Sequence, residues 1–143
     1  MVTGRFEDIP VVLDAMGGDH APAAPVEGAV LAAREFGMPI YLVGQEDAVR
    51  AELARHDHKG LPLTLVPASE TIGMDEQPSL AVRRKRDSSI VVGMRLVKEG
   101  KARAFVSMGN TGAVMAAALF HLGRIKGVKR PALATIFPTM QGF

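Results

Sequence analysis

Three short stretches of this chain hold the residue types best suited to chemistry. "DAMGGDHAP", Asp14–Pro22, sets two carboxylates and an imidazole around a pair of glycines. Asp19 and His20 form a candidate acid/base pair, while Gly17 and Gly18 let the backbone approach a ligand closely. Asp14, Asp19 and His20 have the donor types of a divalent-cation site, but so few ligands in a flexible turn define no coordination sphere, and no metal is expected. The structural alternative is that Asp19 caps the next helix and His20 pairs with it.

In "SMGNTGA", Ser107–Ala113, Gly109 and Gly112 bracket Asn110 and Thr111 just ahead of an apolar run. A helix starting there presents free amide N–H groups and its positive dipole end to the turn, an arrangement that binds phosphate or another anion. The competing reading is a tight strand-to-helix turn capped by Asn110 or Thr111, since the stretch matches neither G-x-x-x-x-G-K-S/T nor G-x-G-x-x-G. The third stretch is "RRKRD", where Arg83, Arg84, Lys85 and Arg86 stand together in a chain of net charge +2. Such a run is either a solvated helix face or a docking site for an acidic partner or an anionic lipid surface. His56 and His58 fall near a helix end, His121 reads as a core histidine on an apolar helix, and Met108 and Met115 read as packing filler.

The elements that must position these stretches alternate. Short apolar runs at 9–14, 39–44, 63–66, 102–107 and 131–138 read as strands, with Pro10 at the start of the first. Helical spacing covers 23–36, 46–56, 79–85, 88–99 and 111–123. Ser88 or Ser89 caps the fourth helix, and Gly37 and Gly100 are stops. Residues 69–78 read as a loop. The fifth helix is so apolar that it is expected to be deeply buried or packed on a partner chain. The fold class is therefore α/β, a mainly parallel sheet with helices on both faces. Ligands bind outside the carboxyl ends of such strands, where both glycine turns fall.

Composition excludes several classes. At 143 residues, with 48% hydrophobic and 22% charged residues, the chain is globular. One Tyr, six Phe and no Trp argue against nucleic-acid stacking platforms. The absence of cysteine removes disulfides and thiolate chemistry and fits a reducing cytoplasm. Residues 1–10 carry no targeting pattern, and the longest apolar run, 113–120, is far short of the ~20 residues a spanning helix needs. Residues 1–8 read as an N-terminal extension and 9–143 as the first portion of one catalytic domain, because the chain stops in "PTMQGF" without a closing helix.

Together, "VVLDAMGGDHAP", "RRKRDSSIVVGMRLVKEG", "AFVSMGNTGAVMA" and "GRIKGVKRPALA" resemble the phosphate acyltransferase family of bacterial phospholipid synthesis, from Ile9 to Thr139. Met108 departs from it, standing where the family usually has alanine. The family's chains are more than twice as long, so the resemblance covers their N-terminal part. It implies a phosphotransacetylase or isopropylmalate dehydrogenase-like fold, a homodimer and a peripheral association with the inner membrane face. The implied reaction moves a fatty acyl group from acyl carrier protein to inorganic phosphate, with no cofactor and no nucleic acid. On that reading Gly109, Asn110, Thr111 and Gly112 hold phosphate or the developing oxyanion. Asp14, Asp19 and His20 shape the opposite wall, and Arg83, Arg84, Lys85 and Arg86 dock the acidic carrier. Asn110→Ala is then expected to weaken phosphate use without harming the fold. Two rivals remain: a nucleotide-binding oxidoreductase of similar architecture, and a catalytically incomplete phosphate-binding or dimerisation module.

Overall fold

The computed structural model describes residues 8–136 and 138–140. Four strands, β1 (Val11–Asp14), β2 (Ile40–Gly44), β3 (Leu63–Pro67) and β4 (Ala104–Val106), form one sheet in the order β3-β2-β1-β4. Every neighbouring pair is parallel; Asp14 lies opposite Val43, and Leu13 opposite Val106. Alternation along the strands divides the core between the two faces. Ile40 and Leu42 pack with Val26, Val30 and Val49, from α1 (Ala23–Phe36) and α2 (Glu46–Leu53). Val12 and Val43 pack with Val92 from α4 (Ser89–Lys98). A second cluster on the α4 side joins it to α3 (Pro78–Arg84) and α5 (Thr111–His121) through Val82, Ile90, Met94, Ala113 and Ala117. Helices thus cover both faces, as the sequence pattern required.

Local chemistry sets the boundaries. Gly37 takes φ 61° and its N–H bonds the Ala33 carbonyl, closing α1. Gln77 and Ser88 cap α3 and α4 through their side chains. Asp19 caps nothing: α1 begins after Pro22 with no side-chain cap, and Asp19 is exposed.

Three expectations need correction. The second helix stops at Leu53, short of His56. No strand forms over 131–136, whose residues are all exposed, Leu133 at 69% and Ile136 at 74%. Pro131 offers no N–H to a ladder, and Pro131, Ala132 and Leu133 instead line a cleft of about 490 Å³ with Val114, Met115 and Leu119 of α5. An internal parallel strand is stabilised by burial on both faces, and this segment has neither. Finally, of the two alternatives for α5, deep burial among the described residues is the one that does not hold. Ala113 and Ala117 are covered, whereas Met115, Leu119 and Phe120 are exposed. Residues 1–7 of the proposed extension, Phe137 and 141–143 lie outside the described residues.

Candidate functional site

Because β1 and β4 are adjacent and parallel, their carboxyl ends deliver "DAMGGDHAP" and "SMGNTGA" to the same edge. One hydrogen bond joins the two turns, and one within each turn braces it. Asp14, only 1% exposed, accepts from the Met16 N–H through Oδ1 at 3.0 Å and from the Ser107 hydroxyl through Oδ2 at 2.7 Å. Ser107 Oγ in turn accepts from the Gly109 N–H at 3.0 Å. A Cβ on Gly17 would sit 2.7 Å from Asp14 Oδ2 and 2.8 Å from both Gly109 N and Ser107 Oγ. Gly17 is therefore glycine because a neighbouring backbone occupies its side-chain space. Gly18 needs its freedom for a different reason, a φ of 100°.

Asn110 is the N-cap of α5, as one reading of the sequence had it, and its Oδ1 accepts from the Ala113 N–H at 3.0 Å. Its Nδ2 donates to the Gly73 and Glu76 carbonyls, each at 3.1 Å, with a longer 3.4 Å approach to Met74 O. Both ends of a side chain only 6% exposed are thus occupied within the protein. Asn110 fastens the 69–77 loop to the start of α5 and has no donor left for a ligand. The N–H groups of Thr111 and Gly112, in the first turn of α5, have no acceptor among the described residues and remain able to meet an anion. Pro78 closes the other side, its Cγ 2.6 Å from where a Gly112 Cβ would lie.

The other candidate residues have separate fates. Asp19 and His20 are exposed beside this edge, and neither side chain has a partner among the described residues. Lys85 is turned inward to Glu76 Oε1 and to the Thr71 carbonyl. Arg83, Arg84 and Arg86 are exposed. No group of three or more His, Asp or Glu able to hold a metal occurs among the described residues, and none of their helices is long and apolar enough to cross a membrane. Sequence reasoning missed the loop's anchoring by Glu76 and Lys85, whose signal was an acidic residue nine positions before a lysine in an otherwise solvated run.

The hydrogen bond from Lys85, and next that from the Gly73 amide at 2.7 Å, hold Glu76 below the ordinary glutamate value of 4.5. A folded-state pKa below the unfolded one means the contribution is present above pH 4.5 and lost as pH falls through the lower folded value. Hydrogen exchange at the Gly73 amide, corrected for its intrinsic rate, is expected to accelerate on acidification below that point. Glu76→Gln should already exchange fast at neutral pH and lose the pH dependence; a variant with the parent's profile would remove Glu76 from this role.

A protein-family model described as "Fatty acid synthesis protein" matches residues 9–143. Proteins named phosphate acyltransferase from Herpetosiphon aurantiacus, Geobacter sulfurreducens and Trichlorobacter lovleyi are 58%, 59% and 55% identical to the chain over 132 residues. Each alignment covers 92% of this chain but 36%, 38% and 38% of the respective relative. The chain thus spans little more than a third of the length of these curated relatives.

Proposed function

The chain belongs to the fatty acid synthesis protein family, and from that premise we propose that it forms the phosphate-holding part of an acyltransferase site. The reaction is transfer of a fatty acyl group from acyl carrier protein to inorganic phosphate. A phosphate oxygen attacks the thioester carbonyl carbon, the new C–O bond forms, and the C–S bond breaks. The carrier sulfur leaves with the electron pair and takes up a proton, and the products are acyl phosphate and free carrier thiol.

The observation that carries this reading is the pair of latched glycine turns beside the free first-turn amides of α5. Phosphate is already anionic and thiolate is a stable leaving group, so neither a strong base nor a cysteine nucleophile is required. Positioning and electrostatic stabilisation can supply the catalysis. The Thr111 and Gly112 amides hold the dianion or developing oxyanion. Asp14, Ser107 and Asn110 are positioning residues that act through the backbone they fix. Asp19 and His20, free at the same edge, form the facing wall, with His20 the donor to the leaving sulfur. Arg83, Arg84 and Arg86 are the cations available to an acidic carrier, and Lys85 serves the loop instead.

On this reading the 143 residues work within a catalytic domain as long as those of the relatives, as a homodimer held peripherally at the inner membrane face. The test is hydroxylamine trapping of acyl phosphate from long-chain acyl carrier protein and phosphate. The long form should give phosphate-dependent hydroxamate and residues 1–143 alone none. No product from the long form would overturn the assignment.

A further inference from the structure

A second concentration of positive charge lies away from the glycine turns. Arg83 on α3, Arg86 just beyond it and Arg95 on α4 border a cleft of about 460 Å³, together with Phe120 and His121 at the far end of α5. None of the three guanidinium groups has an ion pair or hydrogen bond to an acidic group among the described residues. Of the acids near Arg95, Asp87 is held by the Ser69 hydroxyl and amide and Glu99 by Lys101, although both feel the Arg95 charge. Arg83 instead stands 5.0 Å from the centre of the Phe120 ring. Val91 adds apolar lining from α4. The cleft and the Thr111 amides are separated by nine residues of α5, roughly 13 Å along its axis.

We propose that this cleft is a second anion site, shaped for a phosphate group carried on an apolar body rather than for free inorganic phosphate. Three guanidinium groups from separate segments can meet several oxygens of one phosphate, and planar forks suit that geometry better than ammonium groups do. Like charges brought together repel one another, Arg95 being partly offset by Asp87 and Glu99, and a bound anion relieves the remaining repulsion. The apolar side of the cleft gives an alkyl or acyl body somewhere to pack, so the two halves of such a ligand are satisfied together. His121 reports occupancy. Burial first, then Lys98 and Arg95, lower its pKa; a bound anion offsets those cations and raises it.

The probe is dodecyl phosphate below its aggregation concentration, with the His121 ring resonances of the 143-residue chain followed by NMR. The site predicts saturable shifts, a raised His121 pKa, and binding about tenfold weaker for each of Arg83→Gln, Arg86→Gln and Arg95→Gln, the scale of a charge-assisted hydrogen bond. Inorganic phosphate should bind at least about tenfold more weakly than dodecyl phosphate, since it gains nothing from the apolar half. Sedimentation with phosphatidic acid vesicles, against phosphatidylcholine vesicles, separates the sources. Arginine-dependent capture assigns the group to a lipid headgroup; dodecyl phosphate binding without capture assigns it to a soluble monoester. Absence of His121 shifts, shifts insensitive to all three substitutions, or equal binding of inorganic phosphate would each overturn the proposal. These readouts require no turnover, so they stand or fall separately from the acyl-transfer reading.

Discussion

Gly17→Ala is expected to lower stability by about 1–3 kcal/mol, the usual range for overpacking a filled interior, and to weaken phosphate dependence beyond what lost stability explains. The added methyl has no cheap escape. Its three nearest neighbours, at 2.7–2.8 Å, are the buried Asp14 carboxylate, the Gly109 backbone nitrogen and the Ser107 hydroxyl. Those groups are the members of the latch. Relief therefore requires prising β1 and β4 apart at their carboxyl ends or breaking the Asp14–Ser107 bond, and either movement displaces the start of α5. Gly28→Ala is the control. It lies inside α1 with open space around the new methyl and should be neutral or stabilising by roughly 0.5–1 kcal/mol. Urea melts of both variants, read with phosphate titrations, check the pair; a Gly17→Ala protein as stable and as phosphate-responsive as the parent would show that the two turns are not interlocked.

Asn110→Ala is the second large effect, and the geometry reverses the sequence-based expectation that folding would be untouched. The substitution uncaps α5 and leaves the Gly73 and Glu76 carbonyls without their donor. Cap loss amounts to about 1 kcal/mol and each buried group left unsatisfied to about 1–3 kcal/mol, so a total near 2–4 kcal/mol is expected after partial rehydration. Asn110→Asp divides the two roles. It keeps an oxygen for the Ala113 N–H but offers the loop carbonyls no donor and sets a negative charge against them. The aspartate variant should therefore retain the α5 start while the 69–77 loop loosens, seen as fast exchange at loop amides beside preserved protection in α5. Equal protection of the loop in both variants and the parent would end the clamp assignment.

The strands and helices were legible wherever hydrophobic period and punctuation agreed: seven of the nine elements lie within the expected segments, while β3 runs one residue further, to Pro67, and α3 begins one residue earlier, at Pro78. The 131–138 run misled because apolar residues between prolines look alike whether they pair in a sheet or lie along a helix. Only the location of a partner edge distinguishes them, and that is not local information. The placing of two glycine turns at one sheet edge was readable from strand order rules. The work of Asn110 was not, because its partners are main-chain carbonyls 34 to 37 residues earlier, which have no residue identity to recognise. Lys85 was misjudged similarly: four consecutive cations look equivalent in a string, whereas the turn after α3 points one of them inward to Glu76.

The latch between Asp14 and Ser107 joins residues 93 apart in the chain. Closing a loop of that length is entropically demanding, and the demand is met only when β4 has found β1. The site thus cannot pre-exist in a partly folded chain, even one whose β1-β2-β3 unit is complete. Its appearance is a late event in folding, and its loss is an early event if β4, the short edge strand, detaches. Any ligand held between the turns will accordingly act as a fastener on that strand, slowing exchange at Ala104–Val106 before it protects the rest of the sheet.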